Sequence, residues 1–422
     1  MGRITIFARD QQGETMKRIS PLRSLVACRW TNRARKRLAA VGLASICLLS
    51  ACAPKFDKGE EVVQDKGSKQ QEAVIPKYNI ADSYYRVILP FKPSGARGEV
   101  VNDVNTRLDV DEFETGLMRL ATEQFPADEY LFQEGQYLDS ETVGKWLARK
   151  KTARQLKEEK MKPEDNIGLN PPIGDTGTNE QKNKQSPIYL ASILEHDYLV
   201  KIDNDKVKLG GIAIGLALNS VHYYSTEQGY PREVKIKDDV IEREGKRIAA
   251  EVLKRLRSMK GLGNVPITIA LYKQAPRSSV VPGHFFAVAH VDEGSSTIDD
   301  WEAVNEEYYV FPSDEAEENH RDDWLKFNNF KSDVEDFFPN YTGIVGRGLY
   351  VNDQLQKLTI NITMPFYGKA EVIGFTQYVT GLVMEKFPDY ITVNVYIASA
   401  GQPESLIVRQ AKADEPFVHI YQ

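Results

Sequence analysis

Cysteine is nearly absent from this 422-residue chain, and its placement matters more than its number. The three are Cys28, Cys47 and Cys52. After position 52 there is none, so most of the chain has neither disulfides nor thiol chemistry and must stand on its hydrophobic core. Long apolar runs are also missing. The one extended run, Leu38 to Ala51, is fourteen residues, short of the roughly 20 that a helical membrane span needs. Recognisable catalytic signatures are missing too. There is no His-Glu-x-x-His, no phosphate loop and no Gly-x-Ser-x-Gly. "GIVGRGLY" (343–350) spaces its glycines differently from a dinucleotide fingerprint, and a turn or hairpin explains them. The expectation is a protein that is not an enzyme. Acidic residues vanish between Lys17 and Lys55. Elsewhere they dominate: residues 52–422 hold 44 Lys/Arg and 58 Asp/Glu, a net of −14. That balance excludes a protein built to neutralise nucleic-acid phosphates, and it gives no electrostatic hold on anionic lipid.

What is present at the start is a leader. Lys17, Arg18, Arg23, Arg29, Arg33, Arg35, Lys36 and Arg37 precede the apolar run. A positive segment, then an apolar stretch of about 7–15 residues, is the pattern of a secretory signal peptide. Basic residues stay inside, so the chain beyond is expected outside. Leu49-Ser50-Ala51-Cys52 resembles the lipobox of bacterial lipoproteins. The small Ser50 and Ala51 let a lipoprotein-type signal peptidase fit the backbone, with Leu49 as the apolar recognition residue. The Cys52 thiolate is the nucleophile that can accept a diacylglyceryl group. Two acyl chains suffice for stable anchoring. About fifty residues before Cys52 is long for a leader, and a start at Met16 would give a more usual one.

Residues 52–75 read as a flexible tether, charged and Gln-rich. Beyond Pro76 the expected fold class is α+β, mainly antiparallel sheets with packed helices. It divides into an N-terminal unit, 76–225, and a C-terminal unit, 226–422. Strands are expected at "YYRVILPF", "GIAIGLALNSVHYY", "ITIALYKQ", "GHFFAVAHV", "LTINITMPF", "ITVNVYIAS" and "FVHIYQ". Helices are expected at 109–125, 140–160, "KDDVIEREGKRIAAEVLKRLRSM" and "EVIGFTQYVTGLVMEKF". Residues 163–187 form a long polar loop. "RVILPF…GLMRLATEQFPADEYL" and "TINITMPF…GLVMEKFPDYITV" share an order of strand, Pro-Phe, helix and Phe-Pro, and so suggest an internal repeat.

Candidate ligand residues are sparse. If "GHFFAVAH" is a regular strand, His284 and His290 share one face with Phe286 and Val288. Two such His can bind Zn²⁺, but no third ligand stands at a diagnostic spacing, so no metal and no soluble cofactor are expected. His196 in "LEHDY" reads as a turn residue. Residues 292–336 carry sixteen acidic and three basic residues interleaved with Trp301, Tyr308, Tyr309, Phe311 and Trp324. That pattern fits a solvated face on apolar anchors, with a cation or partner site as the sharper alternative.

The lipobox, "YRVILPFKPSGARG", "LFQEGQYL", "GLNP", "LEHDYL", "GIAIGLALNSVHYY", "VPITIALYKQ", "VPGHFFA", "FFPNYTGIVGRGLY" and "VHIY" together resemble CamS-type lipoproteins of Gram-positive bacteria, the sex-pheromone precursors. The resemblance runs over essentially the whole chain after Cys52. It implies a lipid-anchored protein on the extracellular face of the cell membrane. It also implies a cleaved leader whose end yields a short apolar signalling peptide, here Ser45, Ile46, Cys47, Leu48, Leu49, Ser50 and Ala51. The folded part is left open between a surface lipoprotein, a solute- or peptide-binding module and an envelope enzyme without a recognisable motif.

Overall fold

The computed structural model describes residues 59–65, 70–77, 80, 84–203, 206–337 and 343–422. Cys52, Leu49, Ser50, Ala51 and the Ser45–Ala51 stretch lie outside them. Residues 58–422 form one compact unit built on two sheets.

The first sheet begins in the expected tether. β1 (Gly59–Asp65) and β2 (Gln70–Pro76) form an antiparallel hairpin, and β1 runs parallel to the start of β6 (Lys206–Asn219). Val62, Ala73 and Ile75 are buried, and this apolar alternation, thin as it is, holds the segment on the sheet. The strand expected at 84–91 is short: β3 (Arg86–Val87) pairs parallel with β4 (Leu131–Glu134). Between them lie α1 (Arg97–Asp103) and α2 (Arg107–Ala121). The helix expected at 140–160 is two, α3 (Ser140–Leu147) and α4 (Ala153–Glu158). Thr152 and Gln155 close a capping box that starts α4 afresh. The 163–187 loop contains α5 (Asn179–Gln185), started by the same device at Thr178 and Gln181.

β5 (Leu190–Asp203), β6, β9 (Ile267–Gln274), β10 (His284–Val291) and β11 (Glu302–Ala303) complete the sheet, in the order β11-β10-β9-β6-β5-β4-β3. A separate hairpin, β7 (Val221–Ser225) and β8 (Pro231–Lys235), leads into α6 (Asp238–Ser258). The two faces of β6 explain the sequence "GIAIGLAL". Ile212, Ile214, Leu216 and Leu218 join the core under α6. Ala213 and Ala217 face the aromatic core under α2. A Cβ on Gly215 would lie 2.7 Å from the Phe113 ring, so small residues are what let α2 approach the strand.

The second sheet has the order β12-β13-β14-β15-β16-β17. Its strands are β12 (Glu306–Phe311), β13 (Gly343–Val351), β14 (Gln354–Thr363), β15 (Thr392–Ser399), β16 (Gln402–Arg409) and β17 (Phe417–Ile420). α7 (Asp314–Asn319) and α8 (Arg321–Phe337) precede β13, and α9 (Lys369–Lys386) crosses from β14 to the parallel β15. Gly346 and Gly348, expected in a turn or hairpin, lie inside β13, the first strand of the β13–β14 hairpin. The turn itself is Asn352-Asp353, both at positive φ, a two-residue hairpin of the favoured hand. Gly346 makes room for the Phe327 ring of α8, 2.5 Å from where its Cβ would stand.

The fold is α+β with mostly antiparallel pairing. The change of sheet falls between Ala303 and Glu306, whereas residues 225 and 226 belong to the β7–β8 region of the first half. Both segments of the suggested repeat are parallel strand-helix-strand crossovers, β3 to β4 and β14 to β15. Strand order, however, matches the β14–α9–β15 crossover to β6–α6–β9. Each is flanked by two antiparallel neighbours on either side, β4-β5-β6-β9-β10-β11 against β12-β13-β14-β15-β16-β17.

Candidate functional site

A cavity of about 440 Å³ opens where α6 begins above the β10–β11 edge. Its size is that of a small-ligand cleft. α6 supplies Asp238, Glu242 and Lys246 from its first turns, β9 supplies Lys273, and β10 supplies His284 and Phe286. Trp301 forms a further wall and brings the acidic block to the site. Lys273 Nζ stands 2.6 Å from Asp238 Oδ1, and Lys246 Nζ 2.6 Å from Glu242 Oε1. The Lys246 ammonium also lies 5.8 Å from the Trp301 ring centroid, within cation–π reach. Burial lowers the His284 pKa from its ordinary value, and the Lys273 charge lowers it further. Its imidazole is therefore neutral near pH 7 and able both to donate and to accept. The arrangement suits a ligand with an apolar or aromatic body and charged ends. The 163–187 loop takes no part in this lining. Its Asn170 side chain instead donates to Leu147 and Leu190 carbonyls and accepts from Tyr189 and Leu190 N–H, locking α3 to β5.

His284 and His290 do not share a face. A bulge between Phe285 and Ala287 inserts one residue and reverses the alternation. His284 and Phe286 line the α6-side cavity, while Phe285 and Val288 join the core on the α2 side. His290 lies on that side, beside Thr268 and Glu123.

His196 is not in a turn. It sits mid-strand in β5, 2% exposed, edge-on to Phe132, and burial lowers its pKa to about 3. Its neighbours Glu195 and Asp197 project to the opposite face. Burial raises the Glu195 pKa although Leu138 N–H and the Asp197 side chain bind its carboxyl. Glu195 accepts from Tyr137 and Leu138 N–H and so clamps the loop that starts α3. The space beside this cluster is about 70 Å³, well below the several hundred Å³ of ordinary ligand clefts.

A second clamp fixes the chain entering β10. Asp109, fully buried in the first turn of α2, accepts through Oδ1 from Tyr272 Oη at 2.9 Å, Ala275 N at 3.0 Å and Gly283 N at 2.8 Å. Thr106 Oγ1 donates to its other oxygen at 2.6 Å. The two halves meet through Arg119, which donates to Glu306 from Nε and Nη2 and to Glu112 from Nη2.

The family model described as CamS sex pheromone cAM373 precursor matches residues 91–415. The chain belongs to the CamS family. A crystal structure of a sex pheromone precursor from Lactobacillus salivarius subsp. salivarius UCC118 is 32% identical to this CamS chain, with a TM-score of 0.72, over 82% of this chain and 98% of that one. The C-terminal domain of the sex pheromone staph-cAM373 precursor from Staphylococcus aureus is 34% identical, with a TM-score of 0.67, over 75% of this chain and 98% of that one. No curated protein matches at a significant level. The CamS match runs from before α1 to beyond β16 and includes the α6–β10 cavity; β1, β2, β3 and β17 lie outside its limits.

Proposed function

We propose that this CamS protein is exported, cut before Cys52 and held on the extracellular face of the cell membrane by a diacylglyceryl group on that sulfur. The released leader supplies Ser45–Ala51 as a short apolar signalling peptide. The observation that carries this reading is the order basic flank, apolar run, Leu49-Ser50-Ala51, Cys52 at the head of a chain whose family model is described as a sex pheromone precursor. Among the described residues no helix is long and apolar enough to cross a membrane, so a lipid anchor would supply the attachment.

Mass spectrometry of the mature N-terminus and of culture supernatant tests both parts. The expected result is a lipidated Cys52 terminus and a free Ser45–Ala51 peptide. A Cys52→Ser chain that is processed normally and still sediments with the envelope would end the anchor reading. Lipid on Cys52 with no peptide in the medium would end the signalling reading.

The α6–β10 cavity supports a second role, extracellular binding of a solute or a very short peptide. A thermal-shift screen of amino acids and di- and tripeptides should yield a ligand whose effect disappears in Lys246→Ala and Trp301→Ala. No ligand, or one indifferent to both changes, refutes that role.

A further inference from the structure

We propose that Glu123, His290 and Glu302 form a binding site for a divalent transition-metal ion of the zinc type. The three come from distant parts of the chain. Glu123 follows the end of α2, His290 is in β10 and Glu302 is in β11. Each offers one ligand atom, and all three atoms lie within 4.8 Å of one another.

The imidazole is prepared for this role. Thr268 Oγ1 donates its single proton to Gln124 Oε1 at 2.6 Å. Its lone pair is then left to accept from His290 Nδ1 at 3.1 Å. The proton is thereby placed on Nδ1, and Nε2 carries a free lone pair. That Nε2 is buried and has no hydrogen-bond partner. It faces Glu123 Oε2 at 3.7 Å, beyond ordinary hydrogen-bond length. Two ligands each about 2.1 Å from one tetrahedral ion stand roughly 3.4 Å apart, so closure of the exposed Glu123 and Glu302 side chains by about 1 Å or less brings the three ligand atoms to that spacing.

A lone pair and two carboxylates converging from three parts of the chain are acceptors that one cation would satisfy together. One imidazole with two carboxylates favours a first-row transition ion over Ca²⁺ or Mg²⁺, which take all-oxygen shells. Three protein ligands leave a fourth position for water. The Gln124–Thr268–His290 chain is the outer hydrogen bonding that orients metal-bound imidazoles. An ion here would pin the two-residue strand β11, and with it Trp301, the cavity wall next to Glu302. This proposal does not depend on the anchor or on the cavity's ligand.

Equilibrium dialysis of the full chain in detergent against Zn²⁺ tests it. Any zinc held by the cysteines is common to every variant. The wild type should bind one more zinc per chain than His290→Asn or Glu302→Gln, and Thr268→Val should weaken that site about 10- to 100-fold. Equal stoichiometry in the wild type and both ligand variants, with circular dichroism showing all three folded, overturns the site. Undiminished affinity in Thr268→Val overturns the role given to the tautomer.

Discussion

Asp109 offers the sharpest test of how this fold holds its functional edge. Three buried donors converge on its Oδ1: the Tyr272 hydroxyl and the Ala275 and Gly283 N–H groups. The last two fix both ends of the loop that delivers His284 to the cavity. Asp109→Ala leaves all three without an acceptor. At about 1–3 kcal/mol for each buried unsatisfied group, the loss is about 3–6 kcal/mol after partial relaxation. Asp109→Asn keeps the shape and the accepting oxygen. On that oxygen it gives up the charge assistance, about 1 kcal/mol for each of the three bonds, hence about 3 kcal/mol in total. Thr106 can turn to accept from the new amide. Urea unfolding followed by circular dichroism reads both values, and hydrogen exchange at Ala275 and Gly283 localises them. The expected order is wild type, then Asn, then Ala, with both amides exchanging fastest in Ala. An Ala variant within 1 kcal/mol of wild type would refute the clamp.

Other outcomes follow from the same reasoning. Arg409 is buried and donates to the Val383, Phe387 and Ile391 carbonyls and to Pro388 O at the end of α9. Arg409→Met should therefore cost about 3–5 kcal/mol in chemical denaturation, because it orphans several helix-end acceptors. Gly346→Ala should cost about 1–3 kcal/mol by pressing a methyl into Phe327, measured in the same way, while Gly374→Ala, with open space at its Cβ, should not destabilise. His196, with a pKa near 3 in the folded chain, stays neutral where the unfolded chain takes up a proton. Stability should then fall as pH drops from about 6.5 towards 3, by up to about 4–5 kcal/mol. In His196→Phe the slope of stability against pH across that window should decrease, and an unchanged slope would refute the assignment.

The strands and long helices were legible because their periodicity is strong and local. "ITIALYKQ" is β9 residue for residue, and the apolar stripe of "KDDVIEREGKRIAAEVLKRLRSM" is the buried face of α6. The break between α3 and α4 was legible in principle. Thr152-x-x-Gln155 is a capping-box signature, and Thr178-x-x-Gln181 marks α5 inside the supposed loop. The hairpin at 59–76 was hidden by its charge, since its buried apolar residues among those described are Val62, Ala73 and Ile75. The candidate sites were the least legible part. A bulge at Phe285–Ala287 separates two histidines that simple alternation puts together, and no local pattern relates positions 123, 290 and 302. Such groups meet only through tertiary packing, which one-dimensional spacing does not encode.

The β1–β2 hairpin sets a leash. Gly59 is already in the sheet, and only the stretch from Cys52 separates it from the proposed lipid. Seven residues drawn out fully reach about 25 Å at roughly 3.5 Å each. With an acylated Cys52, Gly59 at the head of β1 would stay within that distance of the bilayer surface. The domain would then meet its ligands close to the membrane to which Cys52 is tied.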